Sequence, residues 1–156
     1  MVDPVRAIVL ETVVRAAPRE VWRAWTTPEG VRSFLAPECR IEMVPGGAYE
    51  MLFDPSAEPG SRGGEGNRVM AFQEGRMLSF SWNAPPSLPE VRRQRTHVTL
   101  RFLPEPGGCC RVVLVHDGWG DGGEWDEAYA YFLRAWGEIV LPRLAALYGG
   151  RPEPGE

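Results

Sequence analysis

In residues 95–102, RTHVTLRF, the apolar side chains Val98, Leu100 and Phe102 alternate with polar ones, and Thr96 falls in register with the apolar set. The even-numbered members form the apolar face and the odd-numbered members form the polar face. A period of two is typical of a β-strand with one face in the core. The turn PEPGG (104–108) and the β-branched segment CCRVVLVHD (109–117) follow directly. The sequence therefore predicts two antiparallel strands here, with even-numbered side chains pointing inward.

Working outward, the preceding residues supply further strands and two short helices. VRAIVLETVVRAA (5–17) is rich in β-branched residues and predicts a first strand. PREVWRAWTT (18–27) and PEGVRSFL (28–35) each begin with proline, which suits the first turn of a helix. Between these helices and residue 95, glycine and proline turns separate further strand-like segments at 39–44, 48–53, 66–75 and 76–82.

Residues 124–147 carry the clearest helical periodicity. Apolar residues recur at three- and four-residue spacings and predict one buried stripe on a long helix: Trp125, Tyr129, Phe132, Trp136, Ile139, Val140, Leu144 and Leu147. Pro142 lies inside this segment, so we expect the helix to kink or restart there. We expect the carboxylates at its start, Glu124 among them, to complement its dipole.

These elements predict an α+β fold. A curved antiparallel sheet of about six or seven strands is expected to wrap around the long C-terminal helix, because that helix is the only element long enough to cover the apolar face of the sheet. We expect one domain over residues 1–148 and a flexible tail over 149–156. Two proline-rich loops, 54–64 and 83–94, interrupt the sheet, and we expect the Arg92, Arg93 and Arg95 cluster to be a solvated loop surface.

Composition excludes several classes of function. The 156 residues carry a net charge of −4, which argues against nucleic acid as a partner. All 17 basic residues are arginines, which excludes a Schiff-base lysine and a phosphate-binding GxxxxGK[ST] loop. The three cysteines form no CxxC pair and the two histidines lie on faces of different kind, so we expect no metal site and no cofactor. No apolar run is long enough to cross a membrane, and we expect a cytoplasmic protein.

His116 and Asp117 stand side by side in the last strand, which raises the question of a catalytic triad. Consecutive strand residues point to opposite faces, so Asp117 is badly placed to orient His116. By parity His116 faces inward with Val112 and Leu114, whereas His97 belongs to the polar face. We interpret His116 as a structural or ligand-orienting hydrogen-bonding residue, with a general base as the weaker alternative.

Aromatic side chains are concentrated on the predicted inner faces. Each one alone is explained by core packing, but one helix cannot fill a strongly curved sheet, so the set predicts an apolar ligand cavity. The candidate cavity residues are Tyr49, Met51, Phe53, Phe80, Trp82, His116, Tyr129 and Trp136. The polar anchors of such a cavity are expected among Ser79, Ser81, His116 and Tyr129, and the two proline-rich loops are expected to border its mouth.

Four segments resemble the START-like helix-grip superfamily, the SRPBCC group, and in particular its branch named for the activator of heat-shock protein 90 ATPase. They are APREVWRAWTTPEGVRSFL (17–35), GGAYEM (46–51), GRMLSFSW (75–82) and GGCCRVVLVHDGW (107–119), in the order of that family. The sequence departs from the family pattern at Ser33, where members often carry tryptophan, and near Cys110, where members often carry threonine. The first predicted strand begins at residue 5, so we expect no separate amino-terminal chaperone-binding domain.

The resemblance and the aromatic set together predict a small hydrophobic or aromatic ligand held between the sheet and the C-terminal helix. Two alternatives of other classes stay open. One is a cyclase-like or hydrolase-like enzyme that uses His116, and the other is a module that interacts with a chaperone ATPase. The expected partner is a hydrophobic small molecule, and we expect neither nucleic acid nor a membrane. A homodimer and a chaperone stay open as further partners.

Overall fold

The computed structural model describes residues 6–149 and has the predicted α+β architecture. Its strands are β1 (Ile8–Val14), β2 (Glu38–Ile41), β3 (Tyr49–Leu52), β4 (Val69–Gln73), β5 (Met77–Trp82), β6 (Thr96–Glu105) and β7 (Cys109–Asp117). Its helices are α1 (Pro18–Thr26), α2 (Pro28–Phe34), α3 (Pro89–Arg92), α4 (Glu124–Arg134) and α5 (Leu141–Leu147), with a π-helical turn (Ala135–Val140) between the last two. The four-residue helix α3 lies in the loop 83–94, for which the sequence predicts no helix.

The strands form two sheets where the sequence predicts one. A five-stranded sheet has the order β1-β7-β6-β5-β4, and β2 pairs with β3 alone. All the pairings are antiparallel. An isolated bridge between Ala48 and Arg68 links the two sheets, and backbone hydrogen bonds from Gly46 and Tyr49 to Val69 and Asn67 flank it.

The even-numbered face of β6 and β7 is the inner face, as the alternation predicts. Leu100 lies opposite Leu114 and Val98 lies opposite His116, and all four side chains are fully buried. Helices α1 and α2 cover one end of this face, where Trp25 packs edge-on against Phe34 with ring centroids 4.9 Å apart. The C-terminal helix lies along the rest, so the core is a single layer between sheet and helices.

The C-terminal helix runs from α4 through the π-helical turn into α5 without leaving helical dihedral angles. Pro142 explains the wide turn, since it has no N–H to donate and its ring would collide with the carbonyl of Glu138 in a regular α-helix. The extra residue in the turn shifts the buried stripe. Ile139 is therefore 42% exposed and Leu147 is 39% exposed, where the sequence predicts burial. Of the predicted tail, all residues after Gly149 lie outside the described part of the chain.

Candidate ligand cavity

A half-open cavity of about 420 Å³ lies between the C-terminal helix and the two proline-rich loops. Its walls come from the end of β5, from loops 54–64 and 83–94, from the end of α2 and from the π-helical turn. The volume is within the usual range for small-molecule sites. Both loops border the cavity, which is where the sequence places the mouth.

The inner wall of the cavity is aromatic. Trp82 lies between Phe53 and Trp136, with ring-centroid distances of 6.3 Å and 5.4 Å respectively. Trp82 and Trp136 are almost completely buried, whereas Phe53 is 46% exposed. Ile139 and Val140 extend the apolar wall along the helix. The cavity thus runs from buried indole rings to a partly exposed apolar rim.

Arg92 joins, through hydrogen bonds, the two loops that form the outer wall of the cavity. Its guanidinium donates to the carbonyl oxygens of Gly60 and Gly63 in one loop and of Ala84 in the other. The Glu65 carboxylate lies 3.5 Å from the same guanidinium. The expectation of a solvated arginine cluster is therefore wrong for Arg92, because backbone carbonyls of a folded loop take the place of water. Arg95 is exposed but likewise donates to the carbonyl of Glu65 and to Oδ1 of Asn67, whereas Arg93 is exposed as expected.

Glu124, at the start of α4, fixes the loop 83–94 from the other side. Its carboxylate accepts hydrogen bonds from the backbone N–H groups of Glu90 and Val91, at 2.9 Å and 3.1 Å. These N–H groups belong to the first turn of α3 and have no partner within that helix. Glu124 therefore caps α3 rather than only complementing the dipole of its own helix.

Gly63 allows loop 54–64 to return closely over β3. Its φ angle is +137°, and a Cβ atom there would lie 2.6 Å from the backbone oxygen of Met51. Glycine alone combines this backbone conformation with such a close approach. The loop can therefore form a wall of the cavity directly against the strand.

The polar groups at the cavity differ from those expected. Ser61 and Asn83 lie on its wall, together with the charged side chains of Asp54, Arg62, Arg92 and Arg143. Ser79, Ser81, His116 and Tyr129, the predicted anchors, do not line it. Most of the actual anchors belong to the irregular loops, where side-chain direction has no sequence period.

Of the eight candidate cavity residues, Phe53, Trp82 and Trp136 line the cavity. Tyr49, Met51 and Phe80 instead belong to the packed core and are fully buried. Tyr49 stacks on Phe80 at a centroid distance of 4.4 Å, and its hydroxyl donates to the carbonyl of Trp25 at 2.7 Å. These side chains fill the space between sheet and helices, so the cavity lies beyond them, at the loop end.

His116 is fully buried, and both of its ring nitrogens are engaged. The indole N–H of Trp136 donates to Nδ1 at 3.0 Å, so Nδ1 must be unprotonated. Nε2 therefore carries the proton and donates to the Thr96 hydroxyl at 2.7 Å, and that hydroxyl donates onward to the carbonyl of Trp82 at 3.4 Å. Burial lowers the pKa of His116 to about 3. This arrangement holds a neutral imidazole in one tautomer and leaves no ring nitrogen free to act on a ligand.

Tyr129 lies away from the cavity, beside the start of β1. Its hydroxyl donates to the carbonyl of Ala7 at 3.3 Å, and the guanidinium of Arg6 lies 4.7 Å from its ring centroid. Trp119 packs on the other side at 5.5 Å. Tyr129 therefore stabilises the junction between β1 and the C-terminal helix.

Asp117 points to the outer face of the sheet, as the parity argument predicts, and its carboxylate lies 3.5 Å from Nδ1 of His97. Ser81 lies opposite His97 on the next strand, so a serine, a histidine and an aspartate share one row. The Ser81 hydroxyl, however, donates to Asn67 and accepts from the N–H of Arg68. The row lacks the bond between nucleophile and base that a catalytic triad requires.

Two buried indole groups lack a partner within residues 6–149: the N–H of Trp82 and that of Trp25. Trp25 belongs to the packed core, whereas Trp82 lies on the cavity wall. A buried N–H without an acceptor costs about 1–3 kcal/mol. The Trp82 N–H is therefore a buried donor that no group within residues 6–149 accepts.

Residues 15–149 match the family described as "Activator of Hsp90 ATPase homolog 1-like protein". The chain belongs to this family. The match covers most of the chain and confirms the resemblance seen in the four sequence segments. No curated protein matches the chain.

Solved structures similar to this one have the same fold. A protein from Mesorhizobium loti is 21% identical with a TM-score of 0.69, over 91% of this chain and 96% of its own. The Aha1 dimer from Colwellia psychrerythraea is 16% identical with a TM-score of 0.70, over 94% and 99% of the two chains. An HSP90 activator from Plasmodium falciparum is 12% identical with a TM-score of 0.68, over 92% and 96%. At these identities the likeness establishes the START-like helix-grip fold alone.

The described residues contain no helix that is both long and apolar enough to cross a bilayer.

Proposed function

We propose that this protein binds a small hydrophobic or aromatic molecule in the cavity between its C-terminal helix and its two proline-rich loops. The observation that carries the proposal is the cavity itself, about 420 Å³ in volume with Phe53, Trp82 and Trp136 on its inner wall. Aromatic walls with a few polar groups are typical of ligand sites. Filling the cavity would remove water from the exposed part of Phe53 and from Ile139, which drives binding.

The binding test is a thermal-shift and native mass-spectrometry screen against lipids and aromatic compounds. A bound ligand raises the melting temperature by mass action. We expect at least one apolar compound to stabilise the wild-type protein and to be retained in the mass spectrum. If no compound does either, the proposal fails.

A pair of tryptophan variants assigns any binding to the cavity. Ile139→Trp places a large ring at the cavity wall and should abolish the stabilisation. Leu133→Trp is the matched control, because Leu133 lies on the same helix, is 43% exposed compared with 42% for Ile139, and does not line the cavity. Equal binding by both variants would place the ligand elsewhere.

A second candidate function is interaction with a chaperone ATPase. It is supported by the family match and by the Plasmodium falciparum neighbour, which is described as an HSP90 activator. The test is the ATPase rate of a cognate heat-shock protein 90 with and without this protein. An unchanged rate at saturating concentration would reject it.

A homodimer is the corresponding proposal for assembly, supported by the Colwellia psychrerythraea neighbour, which is described as a dimer. Light scattering coupled to size-exclusion chromatography tests it directly. A mass near 17.4 kDa at all concentrations would reject the dimer.

A further inference from the structure

We infer that the ligand carries an anionic group, most simply a carboxylate, at the end of an apolar body, and that Arg143 binds this group at the mouth of the cavity. The inference rests on the proposed function and specifies the chemical class of ligand. It comes from the charges around the cavity rather than from its apolar wall.

The cavity is locally positive in an acidic protein. Three arginines and one aspartate line it, although the chain as a whole carries a net charge of −4. The carboxylate of the single acidic group, Asp54, accepts a hydrogen bond from the Ser56 hydroxyl at 2.9 Å. The excess of positive charge favours an anion over a neutral or cationic ligand.

The three arginines are not equivalent. Arg92 is occupied by loop carbonyls and Glu65, and the Nε atom of Arg62 donates to the carbonyl of Ala57 at 2.9 Å. The guanidinium of Arg143 has no hydrogen bond or ion pair with any residue in 6–149, and its side chain is exposed. Within residues 6–149, Arg143 is therefore the cation at the cavity whose donors have no partner, and a planar guanidinium matches a carboxylate in bidentate geometry.

The C-terminal helix sets the order of apolar and charged groups. Trp136, Val140 and Arg143 follow one another at four- and three-residue spacings and all line the cavity. Seven residues of helix span about 10 Å. A ligand lying along the helix would place its apolar body against Trp136 and Val140 and its anionic end at Arg143.

Two matched pairs of probes test the inference. Decanoate is compared with decan-1-ol, and 2-naphthylacetate with 2-naphthylethanol, by isothermal titration calorimetry on the full chain at pH 7. Each pair keeps the apolar body and changes only the charge of the end group. We expect the acid of at least one pair to bind about 3- to 10-fold more tightly than its alcohol, as for a partly exposed charged hydrogen bond. Added salt should weaken the acid alone.

Arg143→Gln removes the charge and keeps a long polar side chain. It should reduce the affinity for the preferred acid to that of its alcohol and leave the alcohol unaffected. Arg134→Gln is the control, because Arg134 lies on the same helix, does not line the cavity, and has a side chain that is 75% exposed. This control should change neither affinity.

The outcomes separate this inference from the proposed function. If the alcohols bind as tightly as the acids, or if Arg143→Gln leaves acid binding unchanged, the role of Arg143 is overturned and the apolar cavity stands. If neither member of either pair binds while another apolar compound binds in the screen, the inference is overturned and the proposed function stands; if no compound binds in the screen either, both are contradicted.

Discussion

The two ends of the space beneath the C-terminal helix differ in how they are filled. At the sheet end, Tyr49, Phe80 and Trp25 pack against one another with essentially no exposure. At the loop end, Phe53 and Ile139 remain more than 40% exposed around a cavity of about 420 Å³. Strands deliver inward side chains at every second position, whereas the proline-rich loops follow no such period. The cavity therefore lies where loops replace strands as the wall opposite the helix.

Trp136 connects the two ends. Its ring lies on the cavity wall, and its N–H donates to His116 in the core. The tautomer of His116 therefore fixes the orientation of an indole that a ligand would touch. We interpret His116 as a positioning residue for the cavity wall rather than as a catalytic group.

The largest expected difference between the two ends concerns stability. Phe80→Ala removes a fully buried ring stacked on Tyr49 and should lower the free energy of unfolding by about 3–5 kcal/mol. Phe53→Ala, at the half-exposed rim, should lower it by less than about 1 kcal/mol. Urea denaturation of both variants measures the two values. If Phe80→Ala does not fold, Phe80→Leu should lower the free energy of unfolding by a smaller amount. Equal losses for Phe80→Leu and Phe53→Leu would contradict the difference between the packed core and the cavity rim.

Low pH should reduce the free energy of unfolding because His116 is buried in the core at the sheet end. Its pKa is about 3 in the folded protein and about 6.5 when unfolded, so the unfolded state binds the proton more tightly. The stability that the neutral ring contributes is complete above pH 6.5 and is lost as the pH falls towards 3. Between pH 7 and pH 4 the loss amounts to about 3 kcal/mol.

The His116→Gln variant isolates this effect from the titration of carboxylates, which both proteins share. Chemical denaturation at pH 7 and pH 4 should show a smaller loss for the variant than for the wild type, by up to about 3 kcal/mol. Identical pH dependence in the two proteins would mean that His116 does not stay neutral in the core.

Arg92→Gln should loosen the loop end with a smaller effect on overall stability. It removes the hydrogen bonds that join the two loops and should cost about 1–2 kcal/mol, because one partly buried guanidinium donates to several carbonyls. Amide hydrogen exchange should rise in residues 54–64 and stay unchanged in β6 and β7. Arg93→Gln, which changes an exposed neighbour, is the control and should leave exchange as in the wild type.

The sequence predicts the regular part of this molecule well. The alternation in 95–102 identifies the inner face, and the same parity correctly separates His116 from Asp117. Pro142 marks the irregular turn of the last helix, although the proline alone does not reveal that the helix continues through a π turn. These features depend on residues close together in the chain, so their periodicity can be identified from the sequence alone.

The cavity is harder to predict because it depends on contacts between distant segments. The bonds from Arg92 to Gly60 and Gly63 and from Glu124 to the start of α3 join residues about thirty positions apart. No spacing rule predicts such partners. In the sequence, an arginine that joins two loops therefore looks the same as an arginine that is solvated. Phe80 and Trp82 likewise share one strand face, and only the position of the loops places the second at the cavity and the first in the core.

The most direct test of the cavity as a ligand site is a titration of the tryptophan indole N–H signals by ¹H–¹⁵N NMR with 2-naphthylethanol. We expect the signals of Trp82 and Trp136 to shift, while that of Trp22, which packs between Phe72 and Phe102, stays in place. If saturating probe moves none of the indole signals, or moves Trp22 and leaves Trp82 and Trp136 unchanged, the cavity is not the binding site.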